Sequence, residues 1–560
     1  MRQIRRLAPA ALVNLLWLGH VVRPLEAQHQ PATAVDAVSE RIARIENAFP
    51  PISTSVNQPS IKLDFQQVMR ISNVPGLSVA VVDDYKIAWA KGYGLTEASG
   101  NTPVTTHTPF PACSISKPIS AMAALQLVEQ GRLSLDEDVN LKLTSWKVPE
   151  NGFTKEQKVT LRRILTHTAG TTVHGYPGYP VGQPIPTLLQ ILNGEKPANT
   201  DPVRVDFVPG TKQRYSGGGF AILQQLMIDV TGKPFPQIMQ DLVLDKLGLQ
   251  DSTFEQPLPA SRAATAAIGL NLHGGGPVPA NVSPEMAVGG LWTTPSDLAK
   301  IAIEVALSKQ AKSDRVLSTA MTREMLRLQV DPQIESAQRP SMRMGLGWKL
   351  GDESDPARFE HDGVNIGFRA ELIMWDAGHG VVVMWNDWSF ASELAVRYLI
   401  NNTAKEYGWS YRVAPYTPPL YADTELLAIA RLRGTQAAIA KYYELKRLSA
   451  EQKGKGAPTV IWTSDPPDFP PNEWDLFVLA NTLADAKHVK DAIQIMKVEV
   501  SEYPKWTNAY GGVNGYAGLA DLYARAGEQK LAIQTYEKLL QLEPGNAAAT
   551  EALKKFKDKK

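Results

Sequence analysis

The sequence predicts an α+β fold: an antiparallel sheet flanked by helices, a helical lobe inserted into it, and an all-α region after it. Three observations lead there. Strand-like patterning occurs early, from Gly76 to Gly94, and returns only near Leu346 to Trp385, so one sheet is built from two distant stretches. Helical sequence with Gly/Pro-rich connections fills the interval between them. Past residue 420 the chain is helical and repetitive.

Two helices are expected at about 35–49 and 63–73. Gly76 to Gly94 reads as a hairpin: Leu77, Val79, Val81 and Val82 run into a turn at Asp83-Asp84, and Ile87, Ala88 and Trp89 return. Segment 114–130 is apolar almost all round (Ile119, Met122, Ala124, Leu125, Leu127, Val128), which predicts a buried central helix. Pro118 falls in its first turn, where proline is tolerated, and Gly131 ends it. Residues 160–260 are mainly helical, with Pro177 to Pro186 as a surface loop, and 290–330 add more helix. Leu346 to Leu350 is then one strand, and Glu371 to Trp375 with Val381 to Trp385 form a hairpin around Asp376 to Gly380. A helix at about 390–406 closes this part, and Val413 to Pro419 is a proline-rich linker. Downstream, Leu479-Ala480 recurs as Leu519-Ala520, Ala492-Ile493 as Ala532-Ile533, and Pro504 as Pro544. The stretch carrying Tyr523, Gly527, Ala532, Tyr536 and Pro544 resembles a tetratricopeptide repeat, with extra residues near Gly511-Gly512 and a weaker copy at Ala438-Ile439, Tyr442 and Leu445.

A chain of 560 residues holds two or three domains. Lys+Arg number 58 and Asp+Glu 57, a balance that offers nothing to nucleic acid or to an anionic membrane. A hydrophobic share of 44% is that of a globular protein. At the N-terminus Arg2, Arg5 and Arg6 precede the apolar stretch Leu7 to Leu18, and Leu25-Glu26-Ala27 offers a cleavage site. Residues 1–27 therefore read as a secretory signal. The apolar stretch is too short for a comfortable membrane span, so no stable anchor is expected after cleavage. A secreted or periplasmic, bacterial location follows. Cys113 is the single cysteine, which excludes an internal disulfide and reads as a small buried residue.

The chemistry begins at Ala112-Cys113-Ser114-Ile115-Ser116-Lys117-Pro118. A serine hydroxyl is a poor nucleophile near neutral pH and needs a base in contact; an amine one helical turn away provides it. If Ser114 opens a helix, Lys117 shares its face. Alone, this spacing is equally an N-capping serine followed by a solvated lysine. Arg214-Tyr215-Ser216-Gly217-Gly218-Gly219 places a tyrosine and a serine in a Gly-rich turn ahead of a helix at Phe220 to Val230. A phenol near a lysine ammonium has its anion stabilised and can serve as a base. Glu360-His361-Asp362-Gly363-Val364-Asn365-Ile366-Gly367-Phe368 sets a histidine at a strand start, with glycine letting a substrate backbone approach. The nine histidines show no His-x-x-x-His or similar pair, so no metal site is expected.

Taken in order, Ser114-x-x-Lys117, Tyr215-Ser216 and His361-x-Gly363 before a terminal hairpin resemble the serine β-lactamase and penicillin-binding group, in its class C β-lactamase, DD-peptidase and esterase branch. Thr108-Pro109-Phe110, Leu165 to Gly170 and Gly289 to Leu298 also look like family segments, and the resemblance spans about residues 60–405. It implies a β-lactamase-like antiparallel sheet and a double displacement through an acyl-enzyme, without a cofactor. Carried over by residue, Ser114 is the acylated nucleophile, and Lys117 and Tyr215 together handle its proton and later activate water. His361 stands where the family usually has the lysine of Lys-Thr-Gly and polarises the leaving group. The backbone N–H groups of Ser114 and Val364 form the oxyanion hole, and Gly363, Ser216, Gly217 and Asn365 line the substrate site.

Two departures narrow the expected substrate. Gly217 replaces the asparagine of Tyr-Ser-Asn, whose amide holds an acyl-amide side chain in the relatives, a loss of about 1–3 kcal/mol of binding. His-x-Gly removes a fixed positive charge that would attract a β-lactam carboxylate. Both favour an ester, or a small amide or peptide, over a penicillin. No Gly-x-Ser-x-Gly surrounds a plausible nucleophile, which disfavours an α/β-hydrolase. The expected organisation is a signal at 1–27, a serine hydrolase domain at 35–408 and a helical repeat domain at 421–560 that offers a surface to a protein partner. The competing readings are a β-lactamase proper and a sensor that is acylated by cell-wall fragments without turnover.

Overall fold

A strand buried on one face alternates apolar with polar residues; one buried on both faces reads as an unbroken apolar run. Gly76–Asp83 and Gly380–Trp385 are runs of the second kind, and every residue of each is buried except Asp83. The computed structural model describes residues 34–49, 61–270, 277–278, 281–331, 333–336, 342–388, 390–409, 420–453, 473–504 and 515–557. The expected signal at 1–27, the linker at Val413 to Pro419 and the loop at Gly511-Gly512 lie outside them.

Six strands form the main sheet: β1 (Gly76–Asp83), β2 (Lys86–Gly94), β3 (Lys349–Leu350), β4 (Arg358–Asn365), β5 (Phe368–Trp375) and β6 (Gly380–Trp385). Their order is β2-β1-β6-β5-β4-β3, antiparallel throughout. The two ends of the hydrolase region meet where β1 pairs with β6, Val79 opposite Val383. The expected strand Leu346 to Leu350 is only Lys349–Leu350. Leu346 and Gly347 donate instead to Met325 O and Leu165 O, with Gly347 at φ +88°, so this stretch serves the lobe.

Pleating divides the side chains between two cores. Ala80, Val82, Leu372, Met374, Val382 and Met384 face the inserted lobe. That lobe contains α3 (Ser116–Glu129), α4 (Gly217–Thr231) and α5 (Pro295–Lys309), after α1 (Ala34–Glu46) and α2 (Phe65–Ile71) at the start of the described chain. Helix α3 buries residues all round its axis, as its composition requires. Val79, Val81, Ile373, Trp375, Val381 and Val383 face the other way, onto α1, α2 and α6 (Phe390–Tyr407).

The all-helical region follows: α7 (Leu420–Arg433), α8 (Thr435–Lys453), α9 (Glu473–Asp485), α10 (Val489–Glu502), α11 (Gly515–Arg525), α12 (Gln529–Leu542) and α13 (Ala547–Lys557). Consecutive helices pack as neighbours, α9 on α10 and α11 on α12. The repeated pairs Ala492 and Ala532 are both fully buried at these contacts. Leu426, Leu427 and Ile429 of α7 and Leu476 and Leu479 of α9 join the core beneath the sheet's second face.

Candidate active site

From Thr108 to Leu127 every residue is buried except Ser114. It sits in a single 3-10 turn, Cys113–Ile115, just ahead of α3. Such a turn stacks positions i and i+3 on one line. Cys113 takes φ +51°, an uncommon conformation for a residue with a Cβ, and one that tends to collect at functional sites. The turn is braced by the segment after Gly289: Ala112 N–H donates to Leu291 O at 2.8 Å, and Leu291 N–H donates to Ser116 Oγ at 3.0 Å. The Cys113 thiol is fully buried, and burial raises its pKa, so it is an inert neighbour of the serine.

Lys117 Nζ lies 2.9 Å from Ser114 Oγ and donates to Val288 O, also at 2.9 Å. Its side chain is 1% exposed. Burial brings its pKa from 10.5 down to about 7; the Lys349 cation pushes the same way, and Asp362 opposes it. Near neutral pH a large share of Lys117 is therefore the free amine, able to accept the serine proton.

Tyr215 enters from the other side, with Lys117 Nζ 4.9 Å from its ring centroid. Burial raises the phenol above its ordinary 10, while Ser114 beside its hydroxyl and the Lys349 charge pull it part of the way back. Tyr215 is thus held as a neutral phenol, so of the two groups expected to share the serine proton Lys117 is the one poised to accept it. Sequence could not weigh burial against charge at this position. His167 and His174 stack on the Tyr215 ring at centroid distances of 4.3 and 5.1 Å.

Ser216 does not reach substrate. Its hydroxyl accepts from Gly219 N–H at 3.2 Å and from Thr171 Oγ1 at 2.9 Å, and donates to Thr172 O at 2.9 Å, while the residue is 2% exposed. It is the N-cap of α4, and the glycines that read as a turn are the first turn of that helix. Gly217 occupies the place of the family's asparagine with no room beside it: a Cβ there would lie 3.1 Å from Val288 Cγ1 and 3.2 Å from both His174 O and Tyr176 Cε2. A side chain there would press on Val288, the His174 carbonyl and the Tyr176 ring.

His361 lies in the middle of β4, not at its start. Its Nδ1 is 2.6 Å from Asp362 O, and the residue is 2% exposed. Burial first, and Lys349 next, push its pKa down to about 3. It is therefore a neutral ring and supplies no positive charge to a leaving group. The cation that sequence found missing comes from β3. Lys349 pairs across the strands with Glu360 and is ion-paired to Asp362. Burial works against both charges, yet each stabilises the other: Lys349 is held above its ordinary pKa and Asp362 well below the carboxylate range.

Gly363 is the close approach. A Cβ there would fall 2.4 Å from Ala112 O, 2.8 Å from Cys113 Cβ and 3.0 Å from Ser114 N, so only glycine lets β4 pass the nucleophile. Gly351 N–H donates to Arg358 O across the β3 edge at 2.8 Å. Strand alternation then points the N–H of Val364 to the same open edge, the orientation an oxyanion donor needs. Val364 is 42% exposed. Asn365 lines a cleft with Pro111, Gly289, Trp292, Ile366 and Phe368.

The structure thus brings Ser114, Lys117, Tyr215 and Gly363 together, sets His361, Val364 and Asn365 beside them on β4, and leaves Gly217 buried and Ser216 turned inward, with Asn365 reaching the adjoining cleft. Sequence reasoning missed Lys349, His174, Tyr176 and the Val288 carbonyl, none of which carries a motif. It quoted the segment of His167 without giving the ring a part. Among the described residues no group of three or more His, Cys, Asp or Glu side chains is placed to hold a metal ion.

Comparisons with known proteins bear on the family and the fold. Protein flp of Staphylococcus aureus (strain MW2) is 26% identical over 248 residues, 43% of this chain and 46% of its own length. The chain therefore spans under half of that relative. A β-lactamase of Pseudomonas fluorescens is 27% identical over 294 residues, 51% of this chain and 72% of its own. Among solved structures, the octameric penicillin-binding protein homologue from Pyrococcus abyssi superposes with a TM-score of 0.51 at 23% identity, over 64% of this chain and 79% of that one. EstCE1, a hydrolase with promiscuous acyltransferase activity, gives 0.51 at 19% identity, over 66% of this chain and 99% of that one. These two share the fold. The Beta-lactamase family model matches residues 62–405, more than half of the chain and the whole of the cleft just described, and the chain belongs to that family.

Proposed function

We propose that this protein is an exported serine hydrolase that cleaves an uncharged carboxylic ester, or a small amide or peptide, through an acyl-enzyme on Ser114. The observation that carries the reading is the 2.9 Å approach of a buried Lys117 amine, its pKa brought down to about 7, to the Ser114 hydroxyl. Lys117 Nζ accepts the proton as Ser114 Oγ attacks the carbonyl. The N–H groups of Ser114 and Val364 stabilise the developing oxyanion, each worth about 3 kcal/mol of barrier. The Tyr215 phenol donates a proton to the departing oxygen and is restored from the Lys117 ammonium. In the second half water attacks the acyl-enzyme and gives its proton to Lys117 Nζ; the Tyr215 phenol donates a proton to the departing Ser114 Oγ and is restored from the Lys117 ammonium.

Charge supports the uncharged substrate. His361 is neutral where relatives carry lysine, and Lys349 is matched by Asp362. Gly217 offers no amide, and its space is filled by Tyr176. We assign 1–27 to a signal, 35–408 to the hydrolase domain and 421–560 to a tetratricopeptide-like array that docks a partner away from the cleft. Ser114→Ala is expected to abolish turnover of p-nitrophenyl butyrate and of a chromogenic cephalosporin, with the ester the better wild-type substrate. Unchanged ester turnover in the variant would remove Ser114 from the mechanism. A fluorescent penicillin that labels Ser114 and stays would favour a sensor; rapid release favours the hydrolase.

A further inference from the structure

Two buried imidazole nitrogens in this site, one on His167 and one on His361, have no partner among the described residues, and their protonation is dictated by the ring nitrogens that do. His167 is 3% exposed and adopts φ +60° on the loop after Leu165. Its Nδ1 lies 3.1 Å from Ser216 N. A backbone amide only donates, so Nδ1 holds the lone pair. Burial, reinforced by Lys117, keeps the ring neutral, which leaves its single proton on Nε2. That Nε2–H is buried and meets no acceptor among the described residues. His361 is the mirror case. Its Nδ1 faces Asp362 O at 2.6 Å, and a carbonyl only accepts, so Nδ1 carries the proton and Nε2 the lone pair. That Nε2 is buried and meets no donor among the described residues.

The two orphans are complementary, one donor and one acceptor. Both rings feel Lys117, and His167 lies within the field of His361. A buried polar group left unpaired is costly, and native proteins usually satisfy such groups with ordered water. One water accepting from His167 and donating to His361 meets both demands.

We propose that a single water molecule bridges His167 Nε2–H to His361 Nε2, and that this bridge makes His167 a positioning residue for Tyr215. The bridge ties β4 to the Tyr215 loop. His167 spans that connection: its ring stacks 4.3 Å from the Tyr215 ring, its Nδ1 holds the Ser216 amide, and its carbonyl accepts from Arg214 N–H at 2.9 Å. Locking this ring locks the phenol against Ser114 and Lys117. The inference rests on the Ser114 mechanism only for its kinetic readout.

The test separates the two ends of the ring. His167→Asn keeps an oxygen where Nδ1 accepts from Ser216 and loses the Nε2–H. His167→Gln returns an N–H near Nε2. We expect His167→Asn to lower kcat on p-nitrophenyl butyrate about tenfold with KM and melting temperature held, and His167→Gln to recover most of it. His361→Phe should also lower kcat, and adding His167→Asn to it should cost nothing further. Multiplicative losses, or a fall in melting temperature with kcat intact, would overturn the bridge. A high-resolution crystal structure of full-length Ser114→Ala gives an independent answer: one ordered solvent peak within hydrogen-bond distance of both nitrogens sustains the proposal even if ester turnover proves not to depend on Ser114, and direct contact or dry packing between the rings ends it.

Discussion

If Lys117 is the base, the acid limb of kcat/KM belongs to it. Its pKa of about 7 follows from burial, against an ordinary 10.5. At pH 6 about one tenth of the protein carries the free amine, and at pH 5 about one hundredth, so kcat/KM should fall close to tenfold per unit below neutrality. His361 titrates near 3 and Tyr215 above 10, so neither shapes this window. The same shift has a stability consequence of fixed sign. The folded pKa lies below the unfolded one, so between pH 7 and 10.5 the unfolded chain binds the extra proton. Stability from this group is lowest below pH 7, rises through the window and levels off above it, by about 5 kcal/mol in all. The assay is p-nitrophenyl butyrate hydrolysis from pH 5 to 9 at constant ionic strength, with urea unfolding of wild type and Lys117→Met at pH 7 and 9. Lys117→Met should remove the rise. A limb centred below pH 5, or equal pH slopes in the two proteins, refutes the assignment.

Neighbouring charges should move that limb in opposite directions. Lys349→Met removes a charge that lowers the Lys117 pKa and should shift the limb alkaline; Asp362→Asn removes one that raises it and should shift the limb acid, both read from the same profile. Gly363→Ala forces a methyl to within 2.4 Å of Ala112 O and should reduce kcat by about a hundredfold or more as β4 parts from the serine. Gly217→Asn should not raise cephalosporin turnover by itself, because Tyr176 fills the space; the pair with Tyr176→Ala should, as nitrocefin hydrolysis would show. Ending the chain at residue 409 bares the apolar sides of α2 and α6, and should lower the melting temperature and promote aggregation, measured by differential scanning fluorimetry and light scattering.

Much of the fold was legible because it depends on local pattern. The valine runs of β1 and β6 lack alternation, which is the mark of strands covered on both faces, and α3 is apolar all round for the same reason. Ser114 and Lys117 were legible only with Tyr215 and His361 following in order, since their spacing alone fits a capping serine and a solvated lysine equally well. What stayed hidden is set by burial and by distant partners. Leu346 and Gly347 look like strand but donate to the lobe. Ser216 looks like a substrate ligand, yet Thr171 and Thr172 claim it. The state of Tyr215 reverses because a phenol loses its water there, and nothing near it in sequence says so. Lys349 has no motif because its position comes from pairing with Glu360 and its charge from Asp362.

The helical region is bound into the hydrolase by packing. Val79, Val81 and Val381 would face water if only the lobe covered the sheet. Helices α2 and α6 cover them, and α7 and α9 pack in turn on those helices, so the apolar core runs from the sheet into the array without a break. The cleft opens on the opposite face, where Ser114 lies against β4. Among the described residues α7 to α13 line no part of the cleft, and the charges acting on Lys117 are those of Asp362, Cys113 and Lys349. On the proposed reading, the helical region acts on the chemistry through the stability of the sheet, and a partner docked on it would share one core with the hydrolase but not one site.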